Sequence, residues 1–152
     1  MTLLFHTMKN SQLTKPAHQA KYFIICCFLL ALTACRKDPG IGGDAKVYGK
    51  IYYKHYNSTF TTLINEGYLS DTYVYIVFGD NVNYGQRIKT NYKGEFEFKY
   101  LYKGDYKIYS YGLDSAAMVN GQLPISEKPS IVNFKITDRK QELILDNLNV
   151  FK

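Results

Sequence analysis

The sequence predicts an all-β fold, on three observations. Beyond Asp44, segments of four to eight residues alternate apolar and polar side chains and are broken by Gly, Asn, Asp and Pro. No stretch there carries a helical apolar period of useful length. Seven alternating segments follow one another, and period-two alternation gives each sheet one apolar face that must be buried against another, so a seven-stranded two-sheet sandwich is expected.

Lys46 to Tyr56 places Val47, Gly49, Ile51 and Tyr53 on the inner face and Tyr48, Lys50, Tyr52 and Lys54 on the other. Asp71 to Phe78 turns Val74, Ile76 and Phe78 inward, and Gln86 to Thr90 is a short strand. After Asn91-Tyr92-Lys93-Gly94 the chain returns as a hairpin through Glu95 to Tyr100, with Phe96, Phe98 and Tyr100 inward. Lys103-Gly104-Asp105 turns into Tyr106 to Tyr111, with Tyr106 and Ile108 inward, and Ser130 to Thr137 offers Val132, Phe134 and Ile136. Glu142 to Phe151 closes the domain. Its apolar set switches from Leu143 and Leu145 to Leu148 and Val150, a phase change that predicts a bulge near Asp146-Asn147.

The beginning of the chain is different in kind. Tyr22 to Ala34, YFIICCFLLALTA, runs thirteen residues without a charge between Lys21 and Arg36, and this is the pattern of a secretory signal. It is shorter than the roughly 20 apolar residues a transmembrane helix needs. Met8 is an alternative start to Met1. Leu32-Thr33-Ala34-Cys35 resembles the bacterial lipobox, in which a small residue precedes a cysteine at the end of the apolar run. The resemblance implies a diacylglyceryl thioether on Cys35, cleavage just before it and acylation of the new amino group. Cys26 and Cys27 lack the small preceding residue and lie inside the apolar run. The expected organisation is a signal peptide over 1–34, a lipidated cysteine and flexible tether over 35–44, and a β-sandwich over 45–152. Lys37-Asp38 resembles the Lys-acidic surface-export signal of Bacteroidetes lipoproteins, with Pro39 where a second acid would stand. Arg36 is not the aspartate associated with inner-membrane retention in enterobacteria, so an outer-membrane protein is expected, in either leaflet.

The order of motifs in the domain carries a second resemblance. Val47-Tyr48-Gly49-Lys50-Ile51, Tyr73-Val74-Tyr75-Ile76, Thr90-Asn91-Tyr92-Lys93-Gly94-Glu95-Phe96 and Leu101-Tyr102-Lys103-Gly104-Asp105-Tyr106 follow one another. They resemble the carboxypeptidase regulatory-like domain family, which has a transthyretin-like (prealbumin-like, Ig-like) β-sandwich. The likeness spans about residues 46 to 111. Asp71-Thr72 stands where the family has alanine, and the connection Asn57 to Ser70 is longer than usual. The resemblance implies an accessory module rather than a catalytic domain.

Composition narrows the chemistry. All 13 acidic residues lie beyond position 35 whereas Lys9, Lys15 and Lys21 precede it, so the net charge of +6 falls to +3 for the part after Ala34. Its lysines are interspersed with acids, which argues against a nucleic-acid partner. His55 is the only histidine beyond Cys35, so a zinc site lacks ligands, no cofactor is expected, and no Gly-x-Ser-x-Gly motif accompanies that histidine. Glu95 and Glu97 alternate with phenylalanines on one strand, which makes a solvated face the simpler account than a catalytic pair.

Fourteen of the 15 tyrosines follow Cys35. Tyr48, Tyr52, Tyr73, Tyr75, Tyr109 and Tyr111 fall on strand faces opposite the inferred core, and Tyr48, Tyr52, Tyr73 and Tyr75 are the candidate binding face. The sequence thus predicts a non-enzymatic envelope lipoprotein, anchored to the membrane through Cys35, whose sandwich meets an envelope protein or glycan. A small hydrolase using carboxylates, or a peptidase inhibitor or chaperone using the loops Asn57 to Ser70 and Gly112 to Pro129, are the alternatives.

Overall fold

A computed structural model describes residues 37–122 and 124–152. Cys35 and the lipobox residues Leu32, Thr33 and Ala34, with the rest of the predicted signal segment, lie outside the described residues. The described strands are β1 (Ile41–Tyr56), β2 (Leu63–Tyr68), β3 (Tyr73–Phe78), β4 (Gln86–Lys89), β5 (Glu95–Leu101), β6 (Gly104–Leu113), β7 (Glu127–Ile136), β8 (Glu142–Ile144) and β9 (Leu148–Phe151). Among the described residues a short helix, α1 (Ser115–Val119), is capped by Asp114, whose carboxylate accepts from the Ala116 amide at 3.0 Å.

β1 is the spine of the first sheet. Along one side it pairs antiparallel with β5 and then with β2, and along the other it pairs parallel with β8 and then β9. The handover from β5 to β2 falls at Ile51, whose amide donates to Gly94 O and whose carbonyl accepts from the Leu69 amide. The second sheet is antiparallel in the order β4-β3-β6-β7. The two inner faces share one core. Val47, Ile51, Phe96, Phe98, Leu148 and Val150 meet Val74, Ile76, Tyr106, Ile108 and Ile136, all buried.

The motifs have physical reasons. Gly49 stands opposite Phe96 in register, and a side chain there would occupy the space of the phenyl ring. Thr90 is buried, donates to Leu69 O at 2.7 Å and accepts from the Thr72 amide, which ties the β2–β3 connection to the β4–β5 hairpin. Asn91 organises that hairpin by accepting from the amides of Lys93 and Glu95 at 2.9 and 3.0 Å, while Gly94 takes a φ of 72°. The hydroxyl of buried Tyr106 donates to Tyr102 O at 2.7 Å and accepts from the Gly40 amide at 3.0 Å. Burial raises its pKa above the usual tyrosine value.

Four expectations change. The described residues hold nine strands rather than seven, because β2 lies within the connection 57–70 and the last predicted strand is divided into β8 and β9. Tyr100, expected inward, is 63% exposed with a φ of 62°, and Leu101 takes the core position instead. The register explains the exchange: Ala45 and Val47 are two residues apart whereas their partners Leu101 and Phe98 are three apart, so β5 bulges outward at this point. Strand structure starts before the boundary expected at 45, since β1 begins at Ile41 and the compact unit begins at Lys37. The fourth change concerns the tyrosines and follows from the sheet order.

Candidate functional site

β1 and β3 belong to different sheets, so the four candidate tyrosines do not share a face. Tyr73 and Tyr75 lie on the outer face of the second sheet, and Tyr48 and Tyr52 on the outer face of the first. The structure keeps the first pair in a larger aromatic group and separates the second pair from it.

On the second sheet, Tyr75 and Tyr109 are direct cross-strand partners, and their rings stack with centroids 4.9 Å apart and planes at 9°. Tyr84, from the β3–β4 turn, meets Tyr75 edge-on at 5.1 Å, and Tyr111 meets it at 5.9 Å. Tyr73 lies 6.2 Å from Tyr75 and carries cations over its ring, Arg87 at 4.7 Å and Lys89 at 5.0 Å. Ile131, 55% exposed, extends the apolar surface across from Tyr109. Partial burial raises the Tyr109 pKa, with Tyr111 adding to the shift, so its hydroxyl remains a neutral hydrogen-bonding group. The arrangement presents hydroxyls and ring edges around a fixed stack, which suits large, low-entropy contact with another surface.

The first sheet's outer face is ionic. Lys50 lies 3.1 Å from Glu95 and 5.0 Å from the Tyr68 ring centroid, and Glu97 pairs with Lys99 at 2.8 Å. Tyr52 meets Tyr68 edge-on at 5.4 Å. A groove of about 900 Å³ reaches from this face to β4 of the second sheet, lined by Tyr48, Lys50, Glu95 and Glu97 together with Ile88 and Lys89. A hydrogen bond from Asn91, then one from Lys50, holds the Glu95 carboxyl below its ordinary range, and Lys99 does the same for Glu97. Both carboxylates are therefore ionised at neutral pH. Acid–base catalysis by a carboxyl pair uses two groups whose environments push their pKa values apart, and these two shift in the same direction.

His55 is exposed near the end of β1, in register with Asn65 of β2. Among the described residues no group of three or more His, Cys, Asp or Glu is placed to hold a metal ion. Tyr109 and Tyr111 were legible as outward residues, but their adjacency to Tyr75 depends on the β3–β6 pairing, which two intervening strands conceal in the sequence. Tyr84 and Ile131 carried no such signal, because one lies in a turn and the other lies midway along β7, a strand of mixed polarity.

No protein-family model matches the chain, and no curated protein matches its sequence. Among solved structures, a Pseudomonas aeruginosa protein described as a "putative carbohydrate binding protein" aligns at 13% identity and a TM-score of 0.40, over 76% of this chain and 93% of that one. An (S)-allantoin synthase aligns at 12% identity and a TM-score of 0.38, over 87% of this chain and 51% of that one. The chain thus spans about half the length of the synthase. At TM-scores below 0.5 neither likeness carries an argument about fold or activity.

Proposed function

We propose that this protein is a non-enzymatic, lipid-anchored module of the cell envelope, held in the outer membrane through Cys35, whose tyrosine-rich sheet face meets an envelope protein or glycan. The seven-stranded transthyretin-like sandwich of the carboxypeptidase regulatory-like family is the proposed ancestral plan. The positions that carry its motifs, Gly49, Thr90, Asn91, Gly94, Leu101, Gly104 and Tyr106, have local structural reasons to be what they are. In this reading β2 and the interruption between β8 and β9 are additions to the plan.

The observation that carries the binding role is the group of Tyr73, Tyr75, Tyr84, Tyr109 and Tyr111 on one outer face, with Tyr84 and Tyr111 each more than 40% exposed. All five rings lie outside the hydrophobic core cluster. Surface plasmon resonance of the domain on immobilised envelope glycan and on envelope proteins tests the role. Replacing Tyr75 and Tyr109 together by Ala is expected to weaken the partner about tenfold or more. Equal binding by the double variant on both surfaces sinks the binding face.

The anchor rests on the lipobox alone and has its own test. Cys35→Ser is expected to leave a larger, unprocessed precursor that takes up no labelled fatty acid, and normal labelling of that variant ends the lipoprotein reading. The carboxylate hydrolase has the shared groove of Glu95 and Glu97 in its favour and their common ionisation against it.

A further inference from the structure

The anchor leaves little chain between lipid and fold. The Gly40 amide donates to Tyr106 Oη, Tyr102 donates its amide to Gly40 O at 3.0 Å, and the Pro39 ring fills the space that a side chain at Gly104 would take. Lys37 Nζ donates to the Tyr102 hydroxyl at 3.3 Å and lies 4.7 Å from its ring centroid. The backbone is thus fastened to the sandwich from Pro39 onward. Four residue steps separate Pro39 from Cys35, and they reach about 14 Å at full extension. An acyl chain on Cys35 would therefore hold this end of the sandwich at the depth of the lipid headgroups.

Three connections gather at this end. Gly79, which opens the β3–β4 turn, lies against Pro39 and donates its amide to Asp105 O at 2.8 Å. Tyr100 lies near the end of β5, and the β5–β6 turn carries Tyr102 and Lys103. The β7–β8 turn follows, because Gly104 pairs with Ile136. The most exposed apolar or aromatic side chains at this end are Val82, at 97%, and Tyr100, at 63% in a left-handed backbone that bulky residues rarely adopt. The charged groups nearly cancel, with Lys37, Lys103, Arg139 and Lys140 against Asp38, Asp44, Asp80 and Asp138.

Resting on the anchor at Cys35, we propose that the sandwich sits end-on upon the lipid surface, with Val82 and Tyr100 inserted at headgroup level beside Tyr102. The occupant of this end is a bilayer surface because the acylated residue is four steps away and because tyrosine with a small apolar neighbour suits the membrane–water boundary. The two or three acyl chains that the lipobox implies hold stably by themselves, so the protein contacts orient the sandwich rather than supply the anchoring. Balanced charge makes the contact one of apolar burial rather than attraction to anionic lipid.

The test uses the full lipidated protein in phosphatidylcholine vesicles. In the anchored protein the only native thiol beyond the cleavage point is acylated, so Val82→Cys accepts an environment-sensitive fluorophore at one place. Val119→Cys on α1, beyond the opposite end of β6, is the control. The expected result is a blue shift and quenching by lipid-borne quencher at position 82, unchanged in high salt, and neither effect at 119. A label at 82 that stays in water, while the protein carries fatty acid and floats with the vesicles, overturns the end-on contact and leaves the anchor standing. A protein without fatty acid that fails to float overturns both. A blue shift at 82 without vesicles assigns the surface to a protein contact and also overturns the proposal.

Discussion

The two outer faces of the sandwich are built from the same alternation and end in opposite surfaces. On the first sheet, Tyr48 opposes Glu97, Lys50 opposes Glu95 and Tyr52 opposes Tyr68 across the strands. Charges meet charges there, and the Tyr52–Tyr68 pair is bordered by Lys50. On the second sheet Tyr75 opposes Tyr109, and Tyr73, Tyr84 and Tyr111 crowd around that pair. The comparison teaches that outward tyrosines on a strand do not define a patch. Cross-strand register decides whether a ring meets another ring or an ion pair, and register is a property of the sheet.

The largest effect separates both faces from the interior. Phe98, 1% exposed between the sheets, is expected to cost about 3 to 5 kcal/mol when changed to Ala, read as a shift of the urea midpoint. Tyr75→Ala is expected to cost about 1 kcal/mol, the worth of an aromatic pair beyond its buried area. If Tyr75→Ala costs as much as Phe98→Ala, the rings are core and the second face is no recognition surface. A double-mutant cycle then sharpens the contrast between the faces. Tyr75 and Tyr109 are expected to couple by about 0.5 to 1.5 kcal/mol, whereas Tyr48 and Tyr52, which share a strand face but meet different cross-strand partners, are expected to be additive. Coupling of equal size on both faces would remove the distinction drawn from register.

Much of the interior was legible because burial on one side imposes period two. Val47, Ile51, Val74, Ile76, Phe96, Phe98, Tyr106, Ile108 and Ile136 are all inside where alternation put them. The phase change in the last segment was legible too. Lys46 and Ile51 are five residues apart while their partners Glu142 and Leu148 are six apart, so one extra residue lies in the break near Asp146-Asn147. β2 was not legible, since all of its residues but Gly67 are exposed and no apolar face is required of it. Tyr100 was misplaced because alternation carries no sign of a bulge until the register is known. The candidate face failed in half for the same reason: Tyr48 and Tyr73 lie on successive predicted strands, and nothing local says that the chain changes sheets between them.

The smallest effect distinguishes the faces by pH. Glu95 and Glu97 have folded-state pKa values below the ordinary 4.5, held down by Asn91 and Lys50 in one case and by Lys99 in the other. A depressed carboxyl contributes stability that is present above its unfolded pKa and is lost as the pH falls through the folded value. The urea midpoint of the wild type is therefore expected to decline as the pH drops below about 4.5, and the slope at this point is shared with every other depressed carboxyl. Both groups are largely solvated, so solvent screens the pairs and the contribution is small. Glu95→Gln with Glu97→Gln removes the two titrations while leaving room for the Asn91 contact, and the double variant is expected to show a flatter acid limb. Tyr75→Ala, on the other face, is expected to lower the midpoint equally at pH 7 and pH 4 and to leave the slope unaltered. If the glutamine pair titrates as steeply as the wild type, the ion pairs of the first sheet are not coupled to folding, and that face is a solvated surface with no energetic difference from any other.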